Sequence, residues 1–360
     1  MLRLTGRSPL GLNAAAPVRT VVASLAAVAM AATPAVLAPA ASASPAGTIS
    51  EYPTPTPNSN PAVITAGPHG KLWFTESGAD KIGTINPTTG AITEYSIPTA
   101  RSLPAGIAAG PEGNLWFTEN GGEKIGKINP TTGAVAEYPM PTAGRAPFAI
   151  AAGRDGDLWF TEWPGERIGK INPRTGAITE YPTPTALSLP FGIAAGPDGN
   201  LWFTEYGGDK IGKISTTGAI TEYPIPAADR VPEGITAGPD GNLWFTEAGD
   251  NLISGPLDPR DAIAKINPTT GAITEYPVPT QGSLPESIAT GPDGNLWFTE
   301  AGSDKIGKIN PTTGAITEYP IPTALSWPRG ITAGPRGTLW FTEFEANKIG
   351  KISAGVTATK

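Results

Sequence analysis

Residues 191–226 read FGIAAGPDGNLWFTEYGGDKIGKISTTGAITEYPIP. At their centre, Leu201-Trp202-Phe203-Thr204-Glu205 is one of seven copies, with the tryptophan at Trp73, Trp116, Trp159, Trp202, Trp244, Trp297 and Trp340. Successive spacings are 43, 43, 43, 42, 53 and 43 residues. A repeat of this length, rich in β-formers and hairpin signals, predicts one four-stranded propeller blade per copy. Gly192 to Ala195 predicts an innermost strand, its small residues suiting a crowded axis. Gly196-Pro197-Asp198-Gly199 turns the chain, Pro presetting φ and Gly accepting φ > 0. Leu201 to Glu205 is apolar on both faces, as a strand covered from both sides must be. Lys210 to Ser215 and Ala219 to Tyr223 supply the third and fourth strands. The Tyr-Pro-x-Pro ending confines the fourth to an edge, since proline has no N–H for a ladder.

The fold class is therefore all-β, a seven-bladed propeller of four-stranded antiparallel blades. The repeats lie near 62–97, 105–140, 148–183, 191–225, 233–278, 286–321 and 329–353. The last copy lacks a fourth strand, while an unmatched one, Ile49 to Pro53, precedes the first. Residues 48–54 are expected to complete the seventh blade and close the ring.

Residues 1–43 stand outside the repeat. Arg3, Arg7 and Arg19 form a basic region, Val21 to Ala32 an apolar one, and Ala41-Ser42-Ala43 a small-residue cleavage site. Together they read as a secretory signal peptide cut after Ala43. An uncleaved anchor is the rival, but Pro34 and Pro39 interrupt the apolar run short of the roughly 20 residues a span needs. The expected mature chain, 44–360, is one secreted, monomeric domain with no membrane span. Losing three arginines and no acid takes its formal charge from −7 to −10, which argues against nucleic acid as a partner. The absence of cysteine excludes disulfides and thiolate chemistry.

Repeats of the form P-x-G-I-T-x-G-P-D-G-x-L-W-F-T-E, then K-I-G-K-I, then G-x-I-x-E-Y resemble the virginiamycin B lyase (streptogramin B lyase) family over residues 48 to 353. The resemblance implies a seven-bladed propeller that opens a cyclic depsipeptide ester by elimination, using Mg²⁺ and a histidine base. It implies histidines after the prolines that open the innermost strands of the last two blades, with an acid before the last such proline. This chain has Arg329 and Glu286 at the two histidine positions, and Trp327 where the acid is implied. Glu343 is the one residue that matches an implied metal ligand. The single histidine, His69, falls in a Gly-Pro-His-Gly turn on the opposite face. A guanidinium does not deprotonate to serve as a base.

Repetition marks structural positions, because a small asymmetric ligand needs asymmetric contacts. The seven Trp-Phe pairs are expected in blade cores, and Glu205 with Lys210, and their equivalents, as cross-strand pairs. Variation concentrates on the face that carries the strand 2–3 loops and the blade linkers. After each linker proline stand Ala62, Ala105, Phe148, Phe191, Glu233, Glu286 and Arg329, which should ring the mouth of the channel. Trp163, Tyr206 and Phe344 follow Trp-Phe-Thr-Glu copies on the same face, and Trp327 precedes a linker proline. These aromatics flank an acidic sector, giving an amphipathic pocket. Residues 248–261, an insertion in blade five, read as a lid or a neutral loop elongation; its Asp250, Asp258 and Asp261 lack an EF-hand spacing.

Three functions remain open at this point. One is binding of a small or oligomeric amphipathic ligand, a peptide, glycan or cell-envelope component, at the mouth. Another is a divergent carbon–oxygen lyase in which Glu286 replaces the base, or works with Glu233 as acid and base, and Glu343 helps hold Mg²⁺. The third is a scaffold for another protein.

Overall fold

Alternating turn signals and apolar runs fold each repeat into an up-and-down sheet. The computed structural model describes residues 44–249 and 261–356; residues 1–43, expected to be a signal peptide, and residues 250–260 of the insertion lie outside the described residues. The described residues form seven four-stranded antiparallel sheets, ordered from innermost to outermost strand. In blade four these are Pro190–Ala195, Leu201–Glu205, Lys210–Ile214 and Ile220–Pro224. In the seventh sheet Ile49–Pro53 pairs antiparallel with Lys348–Ser353, Ile49 opposite Ile352 and Tyr52 opposite Ile349. The N-terminal strand thus closes the ring.

Packing explains the doubly apolar second strands. Trp202 and Ile211 of blade four pack with Ile235, Leu243, Phe245 and Ile266 of blade five. The equivalent cluster joins Trp340 and Ile349 of blade seven to Ile64, Leu72 and Phe74 of blade one. All seven tryptophans of the Trp-Phe pairs are buried. Each stacks on a fourth-strand tyrosine of its own blade, as Trp202 does on Tyr223 with centroids 5.5 Å apart. Lys213 lies 5.2 Å above the Trp202 ring, adding a cation–π contact. At the other end of the blade Asp198 accepts a hydrogen bond from Trp202 Nε1 at 3.0 Å, so the turn caps the core ring.

The expected cross-strand pairing of Glu205 with Lys210 is present, without an ion pair between the two. The two are ladder neighbours, yet Lys210 Nζ reaches diagonally to Glu222 at 2.8 Å and to the Thr185 hydroxyl. There its ammonium keeps some contact with water, whereas Glu205 is fully buried. Neither Glu205 carboxyl oxygen has a hydrogen-bond partner. Burial first, and the neighbouring Glu222 charge second, push its pKa up to about 8. Burial also acts on Glu222, but hydrogen bonds from Lys210 and Thr185 outweigh it and hold that carboxyl below its usual value. Burial likewise raises Glu76, Glu119, Glu162, Glu247, Glu300 and Glu343 to about 8, although Glu300 accepts from Ser303 Oγ at 2.9 Å.

Two outcomes follow for stability. Deleting residues 49–54 removes the outer strand of blade seven and the Tyr52 ring stacked on Trp340; the melting temperature should fall by on the order of 10 °C, and an unchanged calorimetric melt would contradict ring closure. The seven buried glutamates stay protonated in the folded chain up to about pH 8 but ionise near 4.5 when unfolded. Folding therefore binds protons in that window, and stability should decline as pH rises from about 4.5 to about 8. Glu205→Gln should flatten this dependence measurably in melts at pH 5 and pH 9, while an equally steep wild-type and variant profile would refute the assignment.

Candidate functional site

Each mouth residue sits in a β-bulge. In blade four the ladder pairs Pro190 with Glu205 and then Ile193 with Phe203, so Phe191 and Gly192 together face the single residue Thr204. All seven blades share this irregularity at the same place. A bulge re-aims a side chain, here into the channel. The Thr204 hydroxyl mends the broken ladder, accepting from Gly192 N at 2.8 Å and donating to the Glu233 carbonyl of the next blade at 2.7 Å. Thr75, Thr118, Thr161, Thr246, Thr299 and Thr342 do the same for Ala105, Phe148, Phe191, Glu286, Arg329 and Ala62. Glycine after several mouth residues permits this approach: a Cβ on Gly106 would lie 2.6 Å from the Phe148 carbonyl oxygen.

A second set of bonds fixes the rim. Asp304, in a strand 2–3 loop, accepts from the backbone N–H groups of Leu325, Ser326 and Trp327 at 2.7, 2.8 and 3.2 Å. These bonds hold Leu325 and Trp327 at φ of 56° and 49°, a region unfavourable to side-chain-bearing residues. Asp261 plays the same part, accepting from Ser283 Oγ and Leu284 N. It belongs to the repeat and not to a cation loop.

The predicted positions converge on two adjoining cavities. One, of about 350 Å³, runs down the channel between the innermost strands and is lined by Ala62, Ala105, Phe148, Phe191, Glu286, Arg329 and Phe344 among others. The other, of about 420 Å³, brings Phe148, Trp163, Phe191, Tyr206, Glu233, Glu286, Trp327 and Arg329 together. Sequence reasoning missed Leu103, Val231 and Leu284, which also line these spaces. Their signal was present: each directly precedes a linker proline, like Trp327, and each has positive φ.

The two sides of the mouth differ in chemistry. On blades three and four Phe148 and Phe191 lie 4.4 Å apart, with Trp163 5.9 Å from Phe148 and Tyr206 5.8 Å from Phe191, a continuous aromatic wall. Across from it the Arg329 guanidinium lies 3.8 Å over the Phe344 ring, and its Nε is 3.5 Å from Glu286 Oε1. Burial raises the pKa of Glu286, with Arg329 opposing. Glu233 goes well above its usual value through burial, reinforced by Glu286 and Asp261 and resisted by Arg329.

The sequence profile of the virginiamycin B lyase family matches residues 40–175, 165–258 and 201–359. The chain belongs to this family. Among solved structures it is similar to virginiamycin B lyase from Staphylococcus aureus, 39% identical over 85% of this chain and 99% of that one, with a TM-score of 0.77. A streptogramin B lyase structure is 40% identical over 85% and 97%, with a TM-score of 0.78. A catalytically inactive histidine-to-alanine variant of the Staphylococcus aureus enzyme, with quinupristin, is 39% identical over 85% and 99%, with a TM-score of 0.78. No curated protein matches the chain.

The donors present do not suit the family's Mg²⁺. Glu343, the residue matched to a metal ligand, lines neither cavity; both its oxygens are buried in the blade with those of its six counterparts. Among the described residues no three of His, Cys, Asp and Glu come together to hold a metal, whereas Mg²⁺ asks for near-octahedral oxygen coordination. His69 is exposed in the turn Pro68–Gly70, the length of an innermost strand, roughly 17 Å, from the mouth.

Arg329→Ala should remove the one positive charge that opposes burial at both acids. The Glu286 and Glu233 titrations, followed by carboxyl carbon NMR, should then move to higher pH. Titrations that stay in place would show that the guanidinium does not act on them.

Proposed function

We propose that the protein is a secreted, monomeric binder of a small or oligomeric amphipathic ligand, a peptide, glycan or cell-envelope component, held at the mouth of the channel. It does not run the elimination of its relatives. The observation that carries this reading is the aromatic wall of Phe148, Trp163, Phe191 and Tyr206 meeting Glu233, Glu286 and Arg329 across one cavity. Apolar lining with a few convergent polar groups is the usual make-up of a ligand site.

Chemistry supports the negative half. The inactive histidine variant shows that its own enzyme depends on that histidine. The resemblance gives Arg329 and Glu286 at the histidine positions here, and a guanidinium does not serve as a general base. Glu286 is engaged with Arg329, and among the described residues no donor set supports a Lewis acid. A shared fold does not carry an activity over without its site. Export of residues 44–360 rests on the three-part pattern of residues 1–43.

The test is incubation of the purified protein with a streptogramin B depsipeptide, with Mg²⁺ and with chelator, followed by chromatography and mass. No ring-opened product is expected in either condition. A ring-opened product of unchanged mass would overturn the reading in favour of a divergent lyase, and a gain of one water would indicate a hydrolase.

A further inference from the structure

We propose that the ligand of this mouth is a cationic amphipath, an organic ammonium carried on an apolar or aromatic body, with Glu233 as its counter-charge. The inference rests on the binding reading above and narrows its ligand class.

The pairing of the mouth's ionisable side chains is incomplete. Three ionisable mouth residues face the second cavity, Glu233, Glu286 and Arg329. Arg329 is already committed, paired with Glu286 at 3.5 Å and stacked on Phe344 at 3.8 Å. Among the described residues no hydrogen bond or ion pair reaches the Glu233 side chain, whereas Glu222, Glu275 and Glu318 on the outer strands all have a cation. One carboxyl group therefore opens onto the ligand space without a partner.

The wall beside it selects the same sign. Phe191 and Tyr206 belong to blade four, and Glu233 follows on blade five, tied to blade four by the Thr204 hydroxyl. Aromatic faces carry the negative side of a quadrupole and attract cations, most strongly where water is excluded. A neutral guest would gain only the wall, and an anionic one would meet two acids with the single guanidinium already engaged. A cation takes both the ring faces and Glu233.

Proton balance gives a second readout. Burial first, reinforced by Glu286 and Asp261 and opposed by Arg329, raises the Glu233 carboxyl well above its usual range. An ammonium entering beside it favours the ionised form. Binding should release the Glu233 proton to buffer and should tighten as pH rises toward the raised pKa of that carboxyl.

The experiment is isothermal titration of the purified protein and of Glu233→Gln with three probes sharing one apolar body: 4-phenylbutylamine, 4-phenylbutan-1-ol and 4-phenylbutyrate. The amine should bind at least tenfold more tightly than the alcohol, with the acid weakest. Its binding heat should vary with the ionisation enthalpy of the buffer, reporting the released proton. Glu233→Gln should bring the amine to the affinity of the alcohol and leave the alcohol unchanged. Equal affinities for amine and alcohol would overturn this inference while leaving the amphipathic pocket standing. Failure of all three probes to bind would overturn both. The charge series on the wild-type protein decides the matter even where the variant folds poorly.

Discussion

Seven threonine hydroxyls hold this propeller's mouth in place. Each sits in the second strand of one blade, fills the gap that a bulge leaves in its own innermost strand, and donates to the mouth carbonyl of the next blade. The last donation, Thr342 to Ala62, runs from blade seven to blade one and makes the chain of bonds circular. These are buried groups, where an unmade hydrogen bond costs about 1–3 kcal/mol. The bonds use backbone N–H and carbonyl groups alone, so the mouth side chains are exempt from the frame. Blades one and two carry Ala62 and Ala105 there, while blades three to seven carry rings and charges on the same backbone. Function is free to vary at the one ring of positions whose geometry is most tightly held.

The electrostatic frame behaves in the same modular way. In most blades a third-strand lysine bridges the fourth-strand glutamate and a linker threonine, as Lys81 does with Glu94 and Thr56. Blade five has alanine at both basic and hydroxyl positions, Ala262 and Ala227. Arg230, from the linker, reaches Glu275 at 2.6 Å and lies 3.7 Å from Glu247, restoring a cation to the same acid. The fourth-strand carboxylate is the fixed requirement, and the chain meets it from whichever element can reach. Glu233 at the mouth is set apart by the lack of such an answer.

Much of this was legible in the sequence because the repeat is its own control. Period, strand order, the closing strand Ile49–Pro53 and the mouth position after each linker proline follow from what recurs and what does not. Other features needed coordinates. Ladder neighbourhood suggested Glu205 with Lys210, yet the two are separated by depth, since the long lysine stem carries its charge toward water and the short acid stays within the blade. Leu103, Val231 and Leu284 went unassigned, because sequence does not reveal that positive φ and anchored N–H groups turn them toward the channel. Glu343 matched a family metal ligand by position, but its six identical counterparts tie it to the blade.

The central claim is that frame and mouth are separable, the first setting stability and the second ligand choice. Replacing Phe148, Phe191, Glu233, Glu286 and Arg329 together by alanine would extend to blades three to seven what blades one and two already carry. The measurement is the calorimetric melt of this variant alongside the fluorescence of the uncharged dye N-phenyl-1-naphthylamine titrated into both proteins. The account predicts a melting temperature within a few degrees of wild type and loss of the dye's enhancement at the mouth. Collapse of the fold, or enhancement that persists undiminished, would contradict it.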